Sequence, residues 1–399
     1  MAKRLKSKRG KMGHKKLVIV IVVILLVGQI AAVMASAPTI NYLPAWEQAN
    51  SNGFGDSLEI EVSALEAYKG YLYAGTHNLI DPGQTFDGGR IFRSSDGVTW
   101  NPVTQPGFGI SHDIKPPAIL DFIVFNNRLY ASTGWGANPG QIYRTNDGSN
   151  WAPMTVTGFS NNENVDISAL AIYDGMIYAG VKNRVDGARI YRSSTGDNNT
   201  WDQVAPAVPG TDVSTVTGFA EFNYELYAAV ESNAPVQIWR FDGFDWTTIV
   251  SDGFGSDTTT FIGGMVVFGG YLYVGAGDTV DGPRLYRTLD GAQWDPVITP
   301  LSDDANNLKV ESLFVFQHQL YVSVKNTATG LELWRSPDGT LWEQVNPDGF
   351  GDSANIATNW SNASAEFKCQ LYVGTLNATA GGELWRIIQQ CSYLPLILH

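Results

Sequence analysis

The chain has 399 residues, 44% apolar and only 16% charged, which is ample material for a large core. The first 16 residues hold eight Lys/Arg, so the remaining body carries 18 Lys/Arg against 39 Asp/Glu, near −21. A body so acidic repels nucleic acid and anionic lipid, which removes both as partners beyond the N-terminal segment.

The basic start runs into an apolar stretch, Leu17 to Met34, followed by small residues through Ala37. This pattern predicts a secretory signal, with cleavage after Ala35, or an uncleaved membrane anchor at the short end of bilayer-spanning length. Residues 1–37 are therefore read as leader or anchor. The rest is exported, and touches the membrane only through this segment.

From residue 38 to 391 the chain repeats one pattern. A Leu/Ile-Tyr pair recurs at Tyr73, Tyr130, Tyr178, Tyr227, Tyr273, Tyr321 and Tyr372, spaced 46 to 57 residues apart. A period near 50 built only of short strand-like runs predicts a propeller with one four-stranded blade per repeat. Strand A ends in an aromatic: Tyr68, Phe125, Tyr173, Phe222, Phe268, Phe316, Phe367. Strand B carries the Leu-Tyr pair, and strand C an aliphatic-aromatic-arginine triplet such as Leu285-Tyr286-Arg287. Asp-Gly follows at Asp96, Asp147, Asp242, Asp290 and Asp338, read as a hairpin in which both residues tolerate positive φ. Trp100, Trp151, Trp201, Trp246, Trp294 and Trp342 open strand D and are read as packing residues.

The seventh repeat stops after strand C, yet Trp46-Glu47-Gln48 through Asp56 closely matches Trp342-Glu343-Gln344 through Asp352. The N-terminal segment is thus predicted to supply the missing strand D. The fold expected is all-β: a seven-bladed β-propeller, monomeric, with its ring closed by an N-terminal strand. Four residues before each strand-A aromatic the chain is small (Ala64, Ala169, Gly218, Gly264, Ser312, Ala363), as crowding around a channel demands. Asp121 is the departure. Export makes a disulfide between Cys369 and Cys391 chemically reasonable, and a four-stranded meander brings both to one face. It would close about 22 residues and stabilise by roughly 3 kcal/mol. Residues 392–399 form a short apolar tail.

The segment Ser94-Ser95-Asp96-Gly97-Val98-Thr99-Trp100 resembles the Asp-box hairpin of sialidase-like propellers, one residue shorter. With Gly-Phe-Gly-Asp between repeats, residues 46–390 resemble exported bacterial seven-bladed propeller proteins of unknown function. The resemblance implies fold rather than activity, because Asp boxes are structural turns away from the catalytic face.

No Walker loop, dinucleotide motif, HExxH or nucleophile elbow is present. The strand-C arginines recur in every repeat and are read as structural. Arg90, Arg189 and Arg284 share one repeat position, where other repeats carry Gln141, Gln237, Glu332 and Glu383; this reads as cross-blade pairing. Function is expected on the face of the B–C and D–A loops, where residues do not repeat. The ligand-binding candidates are His77 and Asp87 in the first B–C loop, His112 and Asp113 in the next D–A loop, and Asp121 and Glu311 on strands A. No catalytic residue, metal ligand or cofactor is assigned. The acidic loops Asp252–Asp257 and Asp303–Asp304 are the places where calcium could bind, although neither has EF-hand spacing. The leading expectation is a non-catalytic binding or scaffold module for a protein or glycan. The alternative is a divergent sialidase-like or other glycan-active enzyme.

Overall fold

The computed structural model describes residues 44–78, 88–109, 118–135, 139–205, 214–232, 235–358 and 363–388. Among them there is no α-helix, and no helix long and apolar enough to cross a membrane. The basic and apolar N-terminal segment and the C-terminal tail lie outside the described residues.

Each repeat forms four antiparallel strands joined in chain order. In repeat one these are A (Glu59–Tyr68), B (Tyr71–Asn78), C (Ile91–Ser94) and D (Asn101–Pro102). Repeats two, five and six are likewise separate four-stranded sheets, while a single pairing, Asn183 with Ser214, links repeats three and four. In repeat seven the strands are Ser364–Phe367, Gln370–Gly374 and Leu384–Ile387, and the fourth is Trp46–Gln48 from the other end of the chain. Trp46 lies opposite Ile387 and Gln48 opposite Trp385.

The seven strands A end at the seven aromatics named from sequence. The A–B turns are the ones with positive φ at both central residues. Lys69 (47°) and Gly70 (80°) show it, as do Gln317 (47°) and His318 (60°). This matches the twist of a two-residue hairpin. The Asp-Gly turns between C and D work differently, which corrects the sequence reading. Only the glycine has positive φ, as at Gly97 (84°). The aspartate is an acceptor: Asp96 Oδ1 takes the amides of Val98 (2.9 Å) and Thr99 (2.7 Å), while Ser94 Oγ takes that of Gly97 (2.7 Å). These bonds hold the Asp96 carboxyl well below the usual carboxylate range.

The small-residue column also has a more specific cause than crowding. In six repeats it directly follows a β-bulge in strand A, as between Val62 and Ala64 or Ile262 and Gly264.

The core lies between successive units. One cluster joins Ala64, Tyr68, Tyr73 and Ile91 of repeat one to Ile119, Phe122 and Leu129 of repeat two. Another joins Val62, Leu65 and Leu72 of repeat one to Phe367, Tyr372 and Leu384 of repeat seven. The Gly-Phe-Gly turns add an aromatic sandwich. Phe54 stacks on Phe92 at 4.2 Å with its edge to Trp100, and Phe254 does the same with Tyr286 and Trp294. In repeat seven Phe350 stacks on Trp385 at 4.7 Å, and the edge partner is Trp46 at 5.0 Å. The N-terminal strand therefore fills the position of a strand-D tryptophan in packing as well as in pairing. Cys369, in the A–B turn of repeat seven, is disulfide-bonded; Cys391 lies outside the described residues.

Candidate active site

The site is built where strands A begin and strands B end. In repeats one to six, the residue seven before the strand-A aromatic pairs across to strand B: Glu61 with His77, Ala118 with Gly134, Asp166 with Lys182, Thr215 with Glu231, Phe261 with Gly277, and Lys309 with Lys325. These rungs carry a different chemistry in every repeat, whereas the next residue of strand A is aliphatic each time: Val62, Ile119, Ile167, Val216, Ile262 and Val310.

The pairs touch their neighbours in succession. His77 Nδ1 sits 3.2 Å from Glu61 Oε2, and its ring meets the edge of Trp135 at 5.4 Å. Trp135 directly follows strand B of repeat two at φ 64°, a left-handed backbone that bulky residues avoid. Its amide donates to Asp166 Oδ1 at 2.6 Å, and its ring lies 6.0 Å from Lys182 Nζ. Asp166 in turn pairs with Lys182 at 3.5 Å. On the far side Lys309 Nζ stands 3.3 Å above the Phe261 ring and 3.2 Å from Glu311 Oε1.

Between them is a cavity of about 220 Å³, lined by Trp135, Asp166, Lys182, Glu231, Phe261 and Lys309 among others. It adjoins a second of about 450 Å³ that shares Glu231, Phe261 and Lys309 as walls. Two carboxyls here are forced away from their ordinary state. Burial raises Glu231, against the pull of Lys309 and a hydrogen bond from the Ile262 amide. Burial also pushes Glu311, 1% exposed, up to about 7 despite Lys309 and Lys325. Lys309 and Lys325 are like charges on directly opposed strand positions, an arrangement that costs stability unless function or a buried acid requires it. Six lysines follow residue 37 in the sequence, and three of them, Lys182, Lys309 and Lys325, meet here.

The sequence-predicted rim between repeats one and two looks different. Asp87, His112 and Asp113 lie outside the described residues. His77 is 9% exposed and engaged with Glu61. Asp121 is fully buried, and its Oδ2 accepts the Leu170 amide of the neighbouring strand A at 2.6 Å. That bond makes Asp121 a staple between repeats rather than an open ligand contact. Glu311 is the candidate that reaches the cavity region, from repeat six.

The arginines are otherwise employed. Arg90 pairs with Glu59 and Asp56, Arg189 with Asp186, and Arg284 with Asp281, each inside its own repeat rather than across repeats. Glu332 and Glu383 bind Asn307 and Asn355 of their own repeats. Among the described residues no three His, Cys, Asp or Glu side chains gather as a metal site. Asp304 spends its oxygens on Asn306 and Asn326.

No family model and no curated protein matches the chain. Solved structures do. A polysaccharide lyase, an ulvan lyase bound to a glucuronate-rhamnose sulfate saccharide, aligns over 84% of this chain and 94% of its own, with TM-score 0.51 and 13% identity. The likeness is one of fold. An α-L-arabinofuranosidase from Fusarium graminearum covers 85% of this chain and 97% of its own at TM-score 0.48 and 11% identity. The sialidase of Trypanosoma rangeli covers 88% of this chain at TM-score 0.46 and 13% identity, and this chain spans only 59% of that enzyme's length.

Proposed function

We propose that the seven four-stranded units close into a seven-bladed β-propeller whose channel mouth is the active site of an enzyme acting on an acidic glycan. Closure is supported by contacts between the last and first repeats. Tyr372 packs against Gly97, Lys368 Nζ donates to Ser95 O at 2.6 Å, and Trp100 Nε1 donates to Ala49 O at 2.8 Å. The protein is read as exported by its N-terminal segment, secreted or anchored, with the disulfide Cys369–Cys391 as a second clasp.

One observation carries the enzymatic reading: Glu231, Asp166, Lys182 and Lys309 converge on one cavity between Trp135 and Phe261. The non-catalytic reading rested on the lack of a convergent titratable set, and these groups form such a set. In a body near −21, half of the lysines are gathered here, which favours a ligand bearing carboxylate or sulfate. The half-exposed Trp135 ring offers an apolar face to sugar C–H groups. The solved glycan-active enzymes of similar fold fit the same reading.

For hydrolysis the assignment is as follows. Glu231, whose burial favours the protonated carboxyl, gives its proton to the glycosidic oxygen as the bond to the anomeric carbon breaks. Asp166, fixed by Lys182 and the Trp135 amide, takes the proton of the water that attacks that carbon. Lys182 and Lys309 orient the substrate's anionic group. This is the division of labour between two carboxyls in unequal environments.

The test is a reducing-end assay of the exported body on uronate-bearing, sulfated and neutral polysaccharides. Turnover of an acidic polymer, reduced at least about a hundredfold in Glu231→Gln with binding retained, is the expected result. Tight binding with no turnover of any polymer, unchanged in Glu231→Gln, would return the protein to the binding-module reading.

A further inference from the structure

Resting on that reading, we infer that the seam between repeats five and six is a second saccharide subsite, so that the substrate is held as a chain rather than by one terminal sugar. The strand-B positions around the mouth carry His77, Lys182, Glu231 and Lys325, a wall of side chains interrupted at Gly134, beside the Trp135 ring, and at Gly277. Gly277 has ordinary extended backbone, so conformation does not demand glycine there. What a Cβ would meet is the side chain of Lys309, at 2.5 Å from its Cβ. The missing side chain leaves Lys309 standing over Phe261 and leaves the wall open.

Gly277 lines the 450 Å³ cavity, which shares Glu231, Phe261 and Lys309 with the 220 Å³ one. The outer cavity runs along the strand B–C turn of repeat five, with Thr279 and Val280, to Leu308 at the start of strand A of repeat six. Val280 is 75% exposed and Leu308 44% exposed, so the rim presents apolar surface to solvent. A groove with an apolar rim and a lysine at its inner end suits sugar rings stacked by their C–H faces, with one anionic substituent per lysine. Trp135, on the opposite wall of the inner cavity, is 45% exposed and offers a matching platform. A chain seated from Trp135 past Glu231 and Lys309 to Val280 would cross the proton donor in its middle.

The experiment uses defined-length oligomers, dimer to hexamer, of a uronic acid, a sulfated sugar and a neutral sugar, with an aryl monoglycoside of each. Wild type is compared with Val280→Glu/Leu308→Glu, two exposed positions outside the proposed proton-transfer set. Turnover is measured directly, and binding by calorimetry in the Glu231→Gln background. The expected result is affinity for the acidic series that rises with length, and loss of that gain, at least about tenfold, in the double variant. Turnover of the aryl monoglycoside, which does not reach the outer groove, should fall by less than the loss seen for the longest acidic oligomer. Length-independent turnover, or a gain that survives the double variant, overturns the subsite while leaving the enzyme reading intact. Length-dependent binding without turnover keeps the subsite and overturns the enzyme. No binding by any oligomer overturns both.

Discussion

Glu311 and Trp135 are the two residues at the mouth that the fold alone does not need. Glu311 is a fully buried carboxyl whose neighbours are Lys309, Lys325 and Glu231, and burial outweighs the lysines to lift it from 4.5 to about 7. The folded state therefore holds its proton more tightly than the unfolded chain does. Its contribution to stability is complete below 4.5 and is lost as pH rises through about 7. Glu311→Gln should consequently leave the unfolding free energy unchanged at acid pH and raise it on the alkaline side, by a few kcal/mol at most, with the melting temperature following. Parallel melting curves for the two proteins from acid to alkaline pH would rule this out. Trp135 makes the complementary case. Its left-handed backbone costs about 1–2 kcal/mol for any residue with a Cβ, a cost that the half-exposed ring offsets only through its contacts with side chains of the site, His77 and Lys182 among them. Trp135→Gly is expected to hold or raise the melting temperature while weakening saccharide binding about tenfold. A melting temperature that falls with binding intact would make the indole a packing residue.

At the scale of the element, the strand plan was legible because it is written in repeated residues. The aromatic that ends each strand A, the Leu-Tyr of strand B and the Arg-terminated strand C all recur, and their positions in the structure follow the sequence. Turn chemistry was only half legible. Asp-Gly resembles a hairpin signal by composition, but its aspartate accepts two amides and its glycine answers a different demand. Gly291 has φ 77°, and a Cβ there would collide with the hydroxyl of Tyr227 from the preceding repeat. The same tyrosine-to-glycine contact joins Tyr73 to Gly148 and Tyr273 to Gly339. Gly70 has a similar φ of 80° but nothing within 4 Å. Gly70→Ala should thus cost only the backbone strain, about 1–2 kcal/mol. Gly291→Ala should add overpacking of about 1–3 kcal/mol. Equal costs in denaturant titrations would mean that the tyrosine does not lock adjacent units.

On the scale of the whole molecule, a reading by consensus discards the information that defines the site. Glu61, Asp166, Thr215, Phe261 and Lys309 occupy one register position, and their variety is what marks it. Aligning the repeats on the strand-A aromatic and searching for the most variable column would have found them, together with His77, Lys182, Glu231 and Lys325 across the rungs. The N-terminal strand was legible for the opposite reason, since Trp46-Glu47-Gln48 copies Trp342-Glu343-Gln344.

That copy also permits a test of whether the first strand is a clasp or an ornament. Trp46 reaches Val345 O through Nε1 at 2.7 Å and packs its edge on Phe350, while Arg386 Nη2 meets Glu47 Oε2 at 2.7 Å. An edge strand of three residues contributes little by pairing alone, so its weight lies in the tryptophan. If the strand closes a ring, losing that ring edge loosens repeats seven and one together, and through them the cooperative unit. Trp46→Ala should then destabilise the single cooperative unit as much as Trp342→Ala does, by roughly 3 kcal/mol, although residue 46 stands at the far end of the chain from its sheet. If the strand merely decorates an edge, hydrogen exchange would show residues 46–50 fraying alone while the melting temperature stays where it was.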